Sequence, residues 1–366
     1  MLKEGKIGVF DATTIIIIML SSKVLFTSTR TIVENLGPAA WYGTLISALT
    51  ALAGFYLLAF LMDKSRLQEL VPVFETAFGR LLGGLLLLVI GFLFTINAAL
   101  FGREFVEAVK VFFYPLSPPS FILIIFILAV MALLYFGLEV ITRCASLFFW
   151  PIVAAFVIIF VFAVPLYETA NLFPFLGHGL TQTVLTGLTR SSVYTDVIAL
   201  AVFAGSLQGA KNFKKAGVTA LILSGLIIGA SIFFYTMAFP YKVSAENTIP
   251  LLTLTREIEY GRFFQRFESI FLLAWSVSAL LTAAISLYAA LSIYCKAFRM
   301  DDHRVLVLPL AVIMFCLAIM PRDISSIAFI YVAALRQHSW TVQLGLPLLA
   351  LFVAMVRGKK GGRSGA

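Results

Sequence analysis

Apolar runs of roughly twenty residues dominate this chain, and a run of that length crosses the hydrocarbon core of a bilayer as one helix. Ten such segments can be drawn. The first spans about Ile7 to Val33 and is interrupted. The second and third are Ala39 to Met62 and Leu81 to Phe101, the latter continuing as helix through Arg103 and Lys110. The fourth and fifth are Ser120 to Gly137 and about Glu139 to Tyr167. The sixth, Thr181 to Leu207, is interrupted like the first. The seventh, eighth, ninth and tenth are Gly217 to Phe239, Arg266 to Ile293, Val305 to Met320 and Trp340 to Val356. Ser325 to Leu335 is too short to span and is expected as a helix at the outer surface.

Composition agrees. Only 12% of the 366 residues are charged and 61% are hydrophobic, against about 25% charged in a soluble domain. The net charge is +9. Its Lys and Arg fall in short clusters between apolar runs, so topology explains them and nucleic acid does not. With both termini cytoplasmic, sixteen basic residues lie inside and ten outside, and Lys23 is left mid-membrane. Clusters such as Lys211–Lys215 are purely basic, whereas the outer loop Lys242–Glu268 mixes signs. Leu251–Tyr260 in that loop is expected as a surface helix, and Asp63–Arg80 as the longest inner loop. Lys3 and Lys6 imitate a signal peptide, but Asp11 interrupts the apolar region and no small-x-small cleavage site follows. The chain is thus expected to be one membrane domain over residues 1–366.

Nothing in the sequence carries catalytic chemistry. There is no HExxH, GxSxG or phosphate loop. Cys144, Cys295 and Cys316 have no metal-ligand spacing and read as buried apolar thiols. His178, His303 and His338 are scattered in loops. An enzyme acting on lipid would need paired carboxylates or a His in the membrane, and none is found. No cofactor or metal is expected.

The two interrupted segments are more informative. Segment 1 carries Ser21, Ser22 and Lys23 near its middle. Segment 6 carries Thr189–Ser192 and then Tyr194, Thr195 and Asp196. Transporters built from two inverted five-helix repeats break the first helix of each repeat and bind substrate or ions there. Repeats over about 7–167 and 181–356 fit that scheme; ordinary polar kinks are the alternative.

Intramembrane charges are costly and mark function. Lys23 can replace a monovalent cation, or snorkel to the outer interface. Asp196 can be its counter-charge or a solvated loop-end residue. Asn97, in the middle of segment 3, can line a central cavity or bond a neighbouring helix. Glu139 and Arg143 share one helical face and read as a structural or gating pair at the inner end of segment 5. Arg266 and Glu268 open segment 8 at the outer side and can gate access or simply mark the interface. Trp41, Trp150 and Trp340 suit an interfacial belt, whereas Trp275 is placed in or near the cavity.

Several stretches together resemble the spore-germination permease family, a branch of the amino acid–polyamine–organocation superfamily. Tyr114-Pro115-Leu116-Ser117-Pro118-Pro119 resembles its proline-rich turn before segment 4. Gly137, Arg143 and Pro151 match a spaced pattern into segment 5. Asn171-Leu172-Phe173-Pro174-Phe175-Leu176-Gly177-His178-Gly179 resembles its most specific loop. Gly79, Arg80 and Gly83 resemble the start of segment 3, and Lys211–Lys215 the basic loop after segment 6. Arg266, Glu268 and Trp275 match the opening of segment 8. The family's first break is Gly-rich and followed by Pro. Ser21 to Ser28 here has neither, so Lys23 belongs to this chain rather than to the pattern.

The resemblance implies an all-α integral membrane protein of the LeuT-type ten-helix fold. It implies a subunit of a nutrient-germinant receptor in the spore inner membrane, beside a second integral membrane subunit and a lipoprotein. Such a subunit would bind a small, amino-acid-like nutrient or conduct ions in response. Ser21, Ser22, Lys23, Asn97, Tyr194, Thr195, Asp196 and Trp275 are the candidate ligand contacts. A proton- or cation-coupled amino acid permease is the alternative.

Overall fold

A computed structural model of the chain describes residues 5–65, 67, 69–247, 249–259, 267–321 and 339–361. Among them there is helix and connecting loop but no strand. Helix α1 (Val9–Lys23) opens with Gly8 N–H donating to Asp11 Oδ2 at 3.3 Å. A π-helical turn, Val24–Ser28, leads into α2 (Thr29–Leu36). Then come α3 (Ala40–Ser65), α4 (Leu70–Phe78), α5 (Arg80–Phe112), α6 (Pro119–Phe136) and α7 (Leu138–Phe162). Short 3₁₀ turns lead to α8 (Leu180–Thr189), a 3₁₀ stretch at Arg190–Ile198 and α9 (Ala199–Val202). The remainder is α10 (Ala210–Ala238), α11 (Tyr241–Glu246), α12 (Pro250–Arg256), α13 (Phe267–Phe298), α14 (Arg304–Ile319), a π turn at Thr341–Gly345 and α15 (Leu346–Gly361).

Seven of these stretches are long and apolar enough to cross a membrane, with two shorter apolar helices at Arg304–Ile319 and Thr341–Arg357. Leucines and phenylalanines such as Leu81, Leu147 and Phe352 point outward. A water-covered protein does not present such a surface, and lipid tails cover it without cost. The protein is an integral membrane protein.

The interior is built from pairs. α5 packs along α13, α3 along α10, and α6 along α14, while α1 touches the Arg190–Ile198 stretch as well as α7, α10 and α13. Small residues permit the close approaches. A side chain at Gly217 of α10 would strike the Phe55 ring of α3. Near the C-terminal end of α13, Lys296 Nζ donates to Val202 O at 2.9 Å and pairs with Glu69 at 3.2 Å, tying α13 to α9 and to the start of α4.

Several expectations need correction. The inner loop Asp63–Arg80 contains the helix α4, whose Leu70, Val73 and Phe74 are buried. The Lys211–Lys215 cluster is not loop but the first turns of α10, because the apolar face of that helix extends down to Phe213. The stretch expected as a surface helix does form α12, but Leu251, Leu252 and Leu254 are buried against α13 and the π turn of segment 1. Segment 3 does continue as helix through Arg103 and Lys110, and Arg103 is 4% exposed and pairs with Glu107 at 2.8 Å. Cys295 is buried, but Cys144 is half-buried and Cys316 exposed. Trp150 sits halfway along α7 and is 64% exposed, not at an interface. The short helix expected at Ser325–Leu335, and His338, lie outside the described residues.

Candidate functional site

The two interrupted segments both keep a helical path but change its pitch. Segment 1 is α-helical through Lys23, so its irregular turn starts just after Ser21-Ser22-Lys23 and not within it. π turns inside α-helices cluster at functional sites. Here Thr29 Oγ1 reaches back to Val24 O at 2.6 Å across the widened turn. Segment 6 runs as 3₁₀ helix for nine residues, Arg190–Ile198, where runs beyond about four are uncommon and mark hinges or strain. Ser191 through Ile198 are all buried.

Lys23 and Asp196 meet where these segments cross. The Lys23 ammonium pairs with Asp196 Oδ2, with side chains 4% and 3% exposed. Lys23 therefore does not snorkel, and Asp196 is not a solvated loop end. Asn97 Nδ2 donates to Asp196 Oδ2 and to Ser286 Oγ, both at 3.1 Å. Asn97 thus links α5 to α13 and to the 3₁₀ stretch. Gln343 Nε2 donates to Asp196 Oδ1 at 2.8 Å, while Thr195 Oγ1 donates to Gln343 Oε1 at 2.6 Å. A buried carboxylate needs its lone pairs filled, and Asp196 has an ammonium and two amide donors.

Ser22 and Trp275 form the adjoining edge. Ser22 Oγ and Thr282 Oγ1 are 2.9 Å apart, and Trp275 Nε1 donates to Ser22 O at 3.3 Å. The fully buried Trp275 ring stacks on Phe26 of the π turn with centroids 3.9 Å apart. The indole thereby fixes the turn that follows Lys23.

The other candidates lie elsewhere. Tyr194 is fully buried, but it lines a small crevice with Ile32, Leu36 and Arg190, away from the ion pair. Ser21 lines the opposite face of α1. Glu139 and Arg143 do pair, at the surface, with side chains 39% and 71% exposed. Glu268 is half-buried at the start of α13, and Arg266 lies outside the described residues.

Sequence reasoning missed Gln343, Ser286 and Thr282. Gln343 carried a usable signal, being an amide inside the apolar tenth segment. Ser286 and Thr282 did not, because small hydroxyl residues in membrane helices commonly bond their own backbone. Thr282 Oγ1 indeed also donates to Ser278 O at 2.7 Å. Among the described residues no group of three or more His, Cys, Asp or Glu could hold a metal ion.

The loop at Asn171–Gly179 clamps the ends of α2, α3 and α10 together. Asn171 Nδ2 donates to Met237 O at 2.9 Å, Tyr42 OH to Phe175 O at 3.0 Å, and His178 Nδ1 lies 3.1 Å from Asn35 O. Gly177, at φ +57°, lies so close to Leu36 O that no side chain fits.

A family model described as "Spore germination protein" matches residues 6–327. Spore germination protein YndE of Bacillus subtilis is 26% identical over 363 residues, covering 96% of this chain and 97% of that protein. Spore germination protein KB of the same organism is 23% identical, covering 83% and 82%. Among solved structures, a substrate-bound, outward-open Na⁺-coupled sialic acid symporter aligns with TM-score 0.66 and 13% identity, over 99% of this chain and 91% of the symporter. The Eremococcus coleocola manganese transporter aligns with TM-score 0.57 and 12% identity, over 95% and 76%. At these identities the likeness concerns the fold, which is of the LeuT type.

Proposed function

The chain belongs to the spore germination permease family, a membrane protein of germination or transport and not an enzyme, and from that premise we propose that it is the nutrient-sensing integral subunit of a germinant receptor. Its ligand is a small zwitterion of the amino-acid class. The observation that carries this reading is the buried Lys23–Asp196 pair. An amino acid offers a carboxylate to Lys23 and an ammonium to Asp196, so it can replace the internal pair charge for charge. Asn97 and Gln343, already bonded to Asp196, would hold the carboxylate while Lys23 swings to the ligand. Replacing the pair frees the π turn and the 3₁₀ stretch to shift, which is the differential interaction that a ligand-driven change requires.

Several further readings follow. The packing of the second, third and fourth segments against the segments five later (α3 on α10, α5 on α13, α6 on α14) supports repeats over about 7–167 and 181–356. The basic bias supports cytoplasmic termini. The family supports residence in the spore inner membrane, with a second integral subunit and a lipoprotein as partners.

Coupled transport is the second reading, favoured by the likeness to a Na⁺-coupled symporter fold. In that case the Lys23 ammonium takes the place of a coupling cation beside Asp196. The deciding experiment is thermal stabilisation of the purified receptor complex across a panel of amino acids. We expect one subset to raise the melting temperature, with the effect lost in Lys23→Ala. Stabilisation by no member of the panel would sink the receptor reading. Saturable, gradient-driven uptake into vesicles would favour the permease.

A further inference from the structure

A cavity of about 210 Å³ lies between α1, α7, α10 and α13, separate from the ion pair. Ile17, Ser21 and Leu25 line it at four-residue spacing, which is one helical face. Lys23, two residues past Ser21, lies roughly 200° further round α1. The facing walls are Phe149, Phe156 and Phe160 of α7 and Phe234 of α10. Val157 and Ala230 also line it and are exposed on the outside of the bundle. The cavity therefore opens sideways, toward lipid and not toward water.

Among the serines on this mostly apolar surface, one hydroxyl is unpaired. Ser21 is 5% exposed, and its Oγ has no hydrogen-bond partner among the described residues. A buried hydroxyl without a partner is unfavourable until something bonds it. Ser231 and Ser278, which also line the cavity, donate to Ile227 O and Ala274 O on their own helices instead. Apolar cavities of comparable size stay dry and take up small apolar molecules. The volume is below the roughly 300–1,000 Å³ of drug-sized sites, so the guest is small.

We propose that this cavity binds a small apolar molecule that partitions from the bilayer and carries one hydrogen-bonding oxygen. The hydrocarbon packs on the phenylalanine walls, and the oxygen accepts from Ser21 Oγ. The site does not depend on the nutrient reading, although a guest here presses on the Ser21–Ser22 turn, whose other side holds Trp275 and Lys23.

The test uses the full chain in lipid nanodiscs, with a medium-chain alcohol bearing a photoreactive diazirine and the alkane of matching length as probes. We expect saturable labelling of Ile17–Leu25 and Phe149–Phe160, mapped by mass spectrometry. Ala230→Trp, which fills the cavity, should remove it. Ser21→Ala, a change small enough to fold, should weaken the alcohol roughly tenfold, on the order of one net hydrogen bond, and leave the alkane unchanged. Labelling that does not saturate and spreads equally over lipid-facing residues such as Leu147 and Phe352 overturns the proposal. So does an alcohol that binds Ser21→Ala as well as the native protein.

Discussion

Lys23 and Asp196 pair inside the bundle, and each belongs to a segment that leaves α-helical geometry at that point. Because one partner ends α1 and the other lies in a 3₁₀ stretch, the pair ties together the two least regular parts of the interior.

Removing one member of a buried pair leaves the other charge uncompensated, which costs about 3–5 kcal/mol. Lys23→Met and Asp196→Asn should each lose that much. A Lys23→Met, Asp196→Asn double variant should lose less than the sum, because no charge is stranded. Unfolding free energies in mixed micelles give the cycle. Strictly additive losses would show that the two residues are not coupled.

Gln343 donates to Asp196 and accepts from Thr195. Gln343→Leu removes one amide donor from Asp196 and the side-chain acceptor of Thr195, and should cost about 1–3 kcal/mol. Gln343→Glu sets a second carboxylate against Asp196 and should cost more. The same unfolding assay ranks the two, and the reverse order would contradict the assigned bonds.

Trp275 stacks on Phe26 and donates to Ser22 O. Trp275→Ala creates a large buried void and should cost about 3–5 kcal/mol. Trp275→Phe keeps most of the stack and gives up only the N–H bond, so its loss should be about 1 kcal/mol. Equal losses in both variants would mean that the ring packing contributes nothing.

Gly177 and Gly179 share one loop but differ in surroundings. Both have positive φ, yet only Gly177 faces Leu36 O and Ala39 at close range. Gly177→Ala should displace the loop from α2 and lower membrane abundance sharply. Gly179→Ala meets nothing within 4 Å and carries only the cost of its backbone conformation. Immunoblots of membrane fractions separate the two, and equal abundance would refute the clamp.

Arg143 pairs with Glu139 at the surface, 71% exposed. Exposed pairs contribute roughly 0–1 kcal/mol. Arg143→Ala should therefore leave both stability and nutrient response close to native. A lost response at normal abundance would assign the pair a gating role instead.

Much of the fold was legible in the residues. The apolar runs determined a helical membrane protein, because backbone groups in lipid need partners within their own segment. The helix limits fall close to where proline or glycine interrupts those runs, as where α6 begins at Pro119 and stops before Gly137. The polar islands at Ser21–Lys23 and Tyr194–Asp196 singled out the two irregular segments, because a charge in an apolar run is too costly to be incidental.

The partners of those residues were not legible. The same Lys23 could have snorkelled or paired, and only the crossing of α1 with the 3₁₀ stretch decided between them. Gln343 joins Asp196 from 147 residues away, and nothing local to either residue records that meeting. Tyr194 is two residues from Asp196, yet the 3₁₀ path turns it to another crevice. The burial of α4 and α12 is not legible in their own residues, because it depends on neighbours distant in the chain. The sequence by itself determined where the chain enters lipid and which residues are too polar to be there without cause. Only the tertiary structure decided which of them face one another, because that depends on how whole helices rotate and cross, and no single segment encodes its own rotation.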